Sequence, residues 1–184
     1  MPKDNKQGRL VLVLGGARAG KSTHALRLAE ENDGPVSFIA TAQAFDDDMS
    51  TRIDRHRSER PSQWQTIEEP YQINRALQEA GEASVVIVDC LTLFVSNWLL
   101  RKNDEKKCEQ ILREITIDFL NTARLQRQTI ICVSNEVGLG VVPETRLGRT
   151  FRDLLGRVNQ DFAQAADEVY LLVAGIKMQL KPQS

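Results

Sequence analysis

The stretch LGGARAGKST, Leu14 to Thr23, carries residue types at a spacing suited to holding a polyphosphate. Gly15, Gly20, Lys21 and Ser22 fit the pattern G-x-x-x-x-G-K-[ST], with an apolar strand-like run before them and the helix-compatible KSTHALRLAEE behind. Each type has a task. Backbone N–H groups of a glycine-rich turn can converge on phosphate oxygens without side chains in the way. The N-terminus of the next helix adds its positive dipole end. Gly16, Ala17 and Ala19 keep the loop open, and Arg18 projects one more cation. Lys21 is expected to reach the β- and γ-phosphates and Ser22 to ligate Mg²⁺. The bland alternative is a plain strand-to-helix connection, which explains neither the lysine nor its spacing.

Two further groups could work with such a loop. An acid at the end of another strand positions Mg²⁺ directly or through water, and Asp89 in VVIVDC stands in that kind of place. A strand-end Asp also serves as a cap or turn residue. His56 lies in MSTRIDRHRSERPSQW among Arg52, Arg55, Arg57 and Arg60, with Asp54 and Glu59 interleaved. If this segment is helical, at about 100° per residue, Met49, Ile53, His56 and Arg60 share a face. Local pattern leaves two readings open: a core histidine at the edge of an apolar stripe, or a nucleophile or ligand ringed by guanidinium groups. The other histidine, His24, is expected to be a structural or surface residue.

The elements that must position these groups alternate along the chain. Apolar runs (RLVLVLGG, PVSFIAT, SVVIVDCLTL, TIICVSNE, EVYLLVAG) have the composition of strands buried on both faces. Between them lie helix candidates at Lys21–Glu31, Asp46–Arg60, Tyr71–Ala80, Asp104–Arg127 and Arg146–Ala166. This alternation predicts a single α/β domain over 1–184, P-loop NTPase-like (RecA-like), with a mostly parallel sheet and helices on both faces. Residues 1–9 are expected to be a polar tail, and 177–184 a flexible one.

Composition narrows the class further. Apolar content of 41%, charged content of 27% and a net charge of −1 suit a soluble protein with no general affinity for nucleic acid or anionic membranes. Cys90, Cys108 and Cys132 are odd in number and widely spaced, which speaks against disulfides or a zinc site and for a reducing compartment. No run approaches the ~18 apolar residues of a membrane span, so a cytoplasmic location is expected. Motor ATPases, GTPase switches and small-molecule kinases share the loop. The size suits a small-molecule kinase, and no NKxD base-reading motif is present. A nucleotide-binding regulatory module without turnover stays open on these residues alone.

The blocks GGARAGKS, FIATAQAFDDDMSTRIDRHRSERPSQWQTIEEP, VDCLTLFVSN and VSNEVGLGVVPETRLGRTFRDLLGRVNQDFAQAADEVYLLVAGI resemble, in order, the bifunctional adenosylcobinamide kinase/adenosylcobinamide-phosphate guanylyltransferase family. The resemblance implies two reactions of cobalamin assembly. ATP or GTP phosphorylates the aminopropanol hydroxyl of adenosylcobinamide. GTP then donates GMP to adenosylcobinamide phosphate, giving adenosylcobinamide-GDP and pyrophosphate. It also implies a guanylylated histidine intermediate at His56 in HRSERP, with Arg57, Ser58, Glu59 and Arg60 beside it at the nucleotide. Neutral imidazole, of unperturbed pKa about 6.5, is a competent nucleophile near pH 7, and adjacent arginines favour that neutral form. Thr41, Ala42, Gln43 and Glu68 are carried over as nucleotide contacts, the last of them open to a reading as a solvated loop acid. Asn135 and Glu136 are expected to meet corrinoid or nucleotide, or else to be turn residues. Arg149, Phe151 and Arg152 are expected in a site or a subunit interface. The family resemblance implies a homo-oligomer, a trimer. It also leaves a single-activity P-loop kinase with a structural His56 as the alternative.

Overall fold

The strand Arg9–Gly15 (β1) is buried almost throughout, because hydrogen-bonded neighbours flank both edges and helices or further chain cover both faces. It begins a computed structural model that describes residues 8–44, 51, 53, 57, 58, 60–102 and 104–182. After β1 come α1 (Lys21–Glu30), β2 (Val36–Ala40), β3 (Gln65–Glu68), α2 (Ile73–Glu79), β4 (Val85–Asp89) and α3 (Leu91–Arg101). Then follow α4 (Glu105–Leu125), β5 (Thr129–Asn135), α5 (Arg146–Ala165), β6 (Glu168–Val173) and β7 (Ile176–Lys181). The strands form one sheet in the order β3-β2-β4-β5-β1-β6-β7. All neighbours are parallel except the β6–β7 hairpin. The expected α/β architecture is therefore present.

The two faces are covered unequally. On one, α1 lays Ala25, Leu28 and Ala29 on Val11, Val13, Phe38, Ile87, Ile131 and Val133, with Trp64 packed at the side. On the other, α2 to α5 bury Leu77, Phe94, Phe119, Leu155 and Phe162 against Leu10, Leu12, Val86, Val88 and Cys132. Continuous burial on both sides is what gives β1, β4 and β5 their unbroken aliphatic sequences. Two of the covering helices announce their starts in sequence. Asp104 accepts from the Lys107 N–H (3.2 Å) ahead of α4, and Thr145 from the Gly148 N–H (3.1 Å) ahead of α5. Among the described residues no helix is long and apolar enough to cross a membrane.

Three elements differ from the sequence expectation. The run SVVIVDCLTL is not one strand: β4 stops at Asp89 and α3 begins at Leu91. Leu91, Thr92, Phe94, Val95, Asn97, Trp98 and Leu99 of α3 are all buried, so the helix lacks the polar stripe that would reveal its period. Gln65–Glu68, not among the strand candidates, is the parallel edge strand β3. The tail expected to be flexible instead carries β7, whose Met178 and Lys177 stand opposite Leu171 and Leu172. Its exposed edge position leaves Ile176, Met178 and Leu180 mostly in solvent, a composition with little signal of pairing. Of the helix candidate Asp46–Arg60, Thr51, Ile53, Arg57 and Ser58 have helical backbone. The face proposed to join Met49 and His56 lies outside the described residues.

Candidate active site

Gly15 and Gly20 are glycines for separate reasons. A Cβ on Gly15 would stand 2.6 Å from the Leu172 carbonyl oxygen of β6, so the turn out of β1 excludes any side chain. Gly20 has φ 92° at the N-cap of α1, a left-handed conformation that costs L-residues about 1–2 kcal/mol. Arg18, exposed at φ 58°, accepts that same strain within the loop. Because Gly20 has no side chain, no side-chain cap occupies the start of α1. Its leading N–H groups face the loop, the arrangement that favours an anion. The loop is braced at both ends. Ala19 N–H donates to the Gly16 carbonyl (3.3 Å), and the Gly175 N–H of the β6–β7 turn donates to the Ala19 carbonyl (3.1 Å).

Lys21 is buried, and its Nζ donates back to the Gly16 carbonyl at 2.7 Å. Burial holds its pKa below the ordinary lysine value, while Cys90 and Asp89 pull the other way. Asp89 thus acts electrostatically on the loop lysine from the end of β4. It also acts on Arg60, whose guanidinium lies 3.6 Å from the centroid of the Phe38 ring. Burial lowers the Arg60 pKa, Arg57 adds to the lowering, and Asp89 and Glu68 oppose it. Strand register explains the meeting. Ala40 of β2 stands between Glu68 of β3 and Asp89 of β4, and Asp89 stands beside Val133 of β5. Residues in register share a face, so Glu68 and Asp89 both lie on the side covered by α1. Arg57 and Glu68 form an exposed ion pair with each other. Ser22, next to Lys21 in the first turn of α1, is half-buried.

The segment after β2, expected among the nucleotide contacts, is tied to the end of β4. Thr41 is fully buried. Its hydroxyl donates to the Cys90 carbonyl (2.7 Å) and accepts the Cys90 N–H (2.8 Å), while its own N–H donates to the Asp89 carbonyl (3.2 Å). Asn97 of α3 then donates to the Thr41 and Pro70 carbonyls (2.8 and 3.1 Å). Thr41 is a latch between the ends of β2 and β4, its hydroxyl both donating to and accepting from the Cys90 backbone. Gln43 accepts from the Tyr71 hydroxyl at 3.0 Å, and Ala42 beside it is half-buried. The Cys90 thiol is pushed up to about 12, first by burial and then by Asp89, which removes it as a nucleophile.

At the end of β5 the chain is held by residues that sequence reading did not single out. Thr92 of α3 accepts the Asn135 N–H (2.7 Å), and Asn159 of α5 donates to the Asn135 carbonyl (3.0 Å). The Glu136 N–H donates to the Gly15 carbonyl (3.0 Å), and its carboxylate turns to the Gly138 N–H (2.5 Å). Arg149 donates to the Pro143 and Glu144 carbonyls (3.0 and 2.7 Å), and so orders the loop before α5. His24 packs edge-on against Tyr170 (5.3 Å between ring centroids), in the structural role expected of it. His56 and Glu59 lie outside the described residues.

The donors fit a hard divalent cation. Ser22 and Asp89 offer one hydroxyl and one carboxylate, and no group of three or more His, Cys, Asp or Glu that could cage a metal exists among the described residues. A small donor set of this kind suits Mg²⁺, which keeps several waters and takes phosphate oxygens rather than an all-protein cage.

Comparison with known proteins identifies the family. The family model described as cobinamide kinase / cobinamide phosphate guanyltransferase matches residues 11–180. The chain is 39% identical over 181 residues to the bifunctional adenosylcobalamin biosynthesis protein CobU of Escherichia coli, covering 94% of this chain and 99% of that one. To CobU of Salmonella typhimurium it is 41% identical over 182 residues, with the same coverage. To the bifunctional adenosylcobalamin biosynthesis protein CobP of Pseudomonas aeruginosa it is 44% identical over 171 residues, covering 92% and 96%. The family model over residues 11–180 and relatives 39–44% identical over nearly the whole length show that this chain belongs to the cobinamide kinase / cobinamide phosphate guanyltransferase family.

Proposed function

We propose that the chain carries out both reactions of its family in cobalamin assembly at the carboxyl edge of the sheet. In the first, the aminopropanol hydroxyl oxygen of adenosylcobinamide attacks the γ-phosphorus of ATP or GTP. The bond to the β-phosphate oxygen breaks, the nucleoside diphosphate leaves, and the hydroxyl proton passes to water. The glycine loop and the N-terminus of α1 cradle the phosphates, and Lys21 neutralises the β- and γ-oxygens. Mg²⁺, when held by Ser22 and Asp89, supplies charge neutralisation on the leaving diphosphate.

In the second reaction, a ring nitrogen of His56 attacks the α-phosphorus of GTP, forming a P–N bond and expelling pyrophosphate. A phosphate oxygen of adenosylcobinamide phosphate then attacks that phosphorus, restoring the imidazole and giving adenosylcobinamide-GDP. Dividing one transfer into two displacements is the advantage of covalent catalysis. Arg57 and Arg60 are the cations for the phosphates in this step, and Glu68 is an acceptor for a guanine edge or ribose hydroxyl once it parts from Arg57.

The single observation carrying this reading is the strand register that sets Asp89 at the same edge and on the same face of the sheet as the phosphate loop and Glu68. The test is incubation with GTP labelled at the α-phosphate, followed by denaturation. An acid-labile, alkali-stable adduct is expected on the wild-type chain and none on His56→Asn. Unlabelled wild type, or a variant that labels equally, refutes the covalent step. Loss of phosphorylation of adenosylcobinamide in Lys21→Ala is expected for the kinase step, and full activity in that variant refutes it.

A further inference from the structure

β5 runs between the strand that delivers the phosphate loop and the strand that delivers Asp89. Its last residue, Asn135, is in register with Gly15 on one side, and Val133 two residues earlier is in register with Asp89 on the other. Residues two apart on a strand share a face, and Val133 packs in the core beneath α1. The Asn135 position therefore belongs to the same face and the same edge as the loop and the acid. It is half-buried, and its carboxamide makes no hydrogen bond among the described residues. Its backbone is fully committed: N–H to Thr92 of α3, carbonyl to Asn159 of α5, and the next N–H to Gly15.

The fixing residues are themselves unusual. Thr92 and Asn159 are both buried, and the Asn159 Oδ1 has no partner among the described residues. A buried acceptor left unpaired is unfavourable, and an apolar side chain would fill the space between α5 and the sheet without that penalty. Two polar residues on two helices thus hold one backbone unit whose own side chain has no hydrogen bond among the described residues.

We propose that Asn135 is a further catalytic residue of the phosphoryl-transfer step, its Nδ2–H donating to an oxygen of the transferred γ-phosphoryl group. Thr92 and Asn159 are positioning residues that act through its backbone. A neutral donor fixed at this place gains strength as charge spreads over the equatorial oxygens in the transition state, and adds little to ground-state affinity. This inference rests on the reading of Lys21 and Asp89 as the triphosphate site.

The test uses the full chain and phosphorylation of adenosylcobinamide by ATP, with thermal midpoints measured in parallel. Asn135→Ala is expected to lower kcat about 100-fold or more, the usual effect of removing one such donor. KM for ATP and the Kd of a non-hydrolysable ATP analogue should stay within about threefold. Asn159→Ala should lower kcat in the wild-type background and have no further effect in the Asn135→Ala background, because it acts through that residue. Thr92→Ser, which keeps the acceptor oxygen, should retain turnover, and Thr92→Val should not. The proposal is overturned if Asn135→Ala keeps kcat near wild type, or loses nucleotide affinity in proportion to activity. Additive effects of the two asparagine substitutions overturn the positioning role. If Lys21→Ala binds nucleotide normally, the triphosphate site itself is misassigned and the inference falls with it.

Discussion

Replacing Thr41 by valine keeps the shape of the side chain and deletes one oxygen, so it isolates what the hydroxyl does. In the structure that oxygen serves the carbonyl and the N–H of Cys90 at 2.7 and 2.8 Å. Both bonds are lost together, and the two backbone groups sit in a partly buried corner that α3 and the end of β2 close off. Each lost bond costs about 1 kcal/mol net and more where the partner stays dry, so the total is about 2–3 kcal/mol. For a chain of this size 1 kcal/mol moves the midpoint by about 2–4 °C, giving a drop of about 4–12 °C. Thr41→Ser, which keeps both bonds and loses one methyl, should cost about 1 kcal/mol. Urea denaturation of the three proteins measures the difference directly, with unchanged m-values expected. Nucleotide affinity provides the second readout. If Thr41 were a nucleotide contact, valine would weaken GTP binding and leave stability alone. That result, or a valine variant within about 0.5 kcal/mol of wild type, would refute the latch.

Gly15→Ala should both destabilise the chain, by about 1–3 kcal/mol as in other overpacked sites, and weaken nucleotide binding more than tenfold. The added methyl meets a backbone carbonyl that cannot swing away, and a melting curve with a GTP titration checks both effects. Phe94→Ala, at a fully buried ring of α3, should cost about 3–5 kcal/mol in urea denaturation; a loss below about 1 kcal/mol would mean α3 is not packed as described. His24 is held below its ordinary pKa by burial first, then by Lys177 and Arg27, against the pull of Glu31. The unfolded chain therefore takes the proton before the folded one, and stability falls as pH drops below about 6.5 toward the folded pKa. His24→Phe should flatten that part of the stability profile, and parallel wild-type and variant curves would contradict the assignment.

The phosphate loop was legible because its residues answer requirements that neighbours in sequence impose. Gly15 and Gly20 are dictated by local backbone path, and Lys21 follows them directly. Asp89 could be found in the same way, as the polar residue ending an aliphatic run. Thr41 could not. Its partner lies 49 positions away, and nothing near a threonine in sequence tells whether its hydroxyl looks outward or across a strand end. Thr92 and Asn159 were hidden for the same reason, since Asn159 reaches a carbonyl 24 residues back. The helix α3 escaped because burial on most sides erases amphipathic periodicity, and β7 because an exposed edge strand carries little of the composition of buried ones. The pairing of Arg57 with Glu68 shows the opposite limit. Both residues were picked out singly, and only the fold reveals that they neutralise each other.

The place of β1 in the sheet has a consequence for how the chain is made. β1 leaves the ribosome long before either of its native neighbours, since β5 begins at Thr129 and β6 at Glu168. During synthesis β1 has no native hydrogen-bonding partner on either edge until those residues emerge. The β2–β4 pair and its helices can form well before that. Contacts of such long sequence separation slow folding and prolong exposure of apolar strand edges. The Ala19 carbonyl waits longer still, for the Gly175 N–H. The brace on the glycine loop is thus completed only once Gly175 has been made, long after the loop residues themselves.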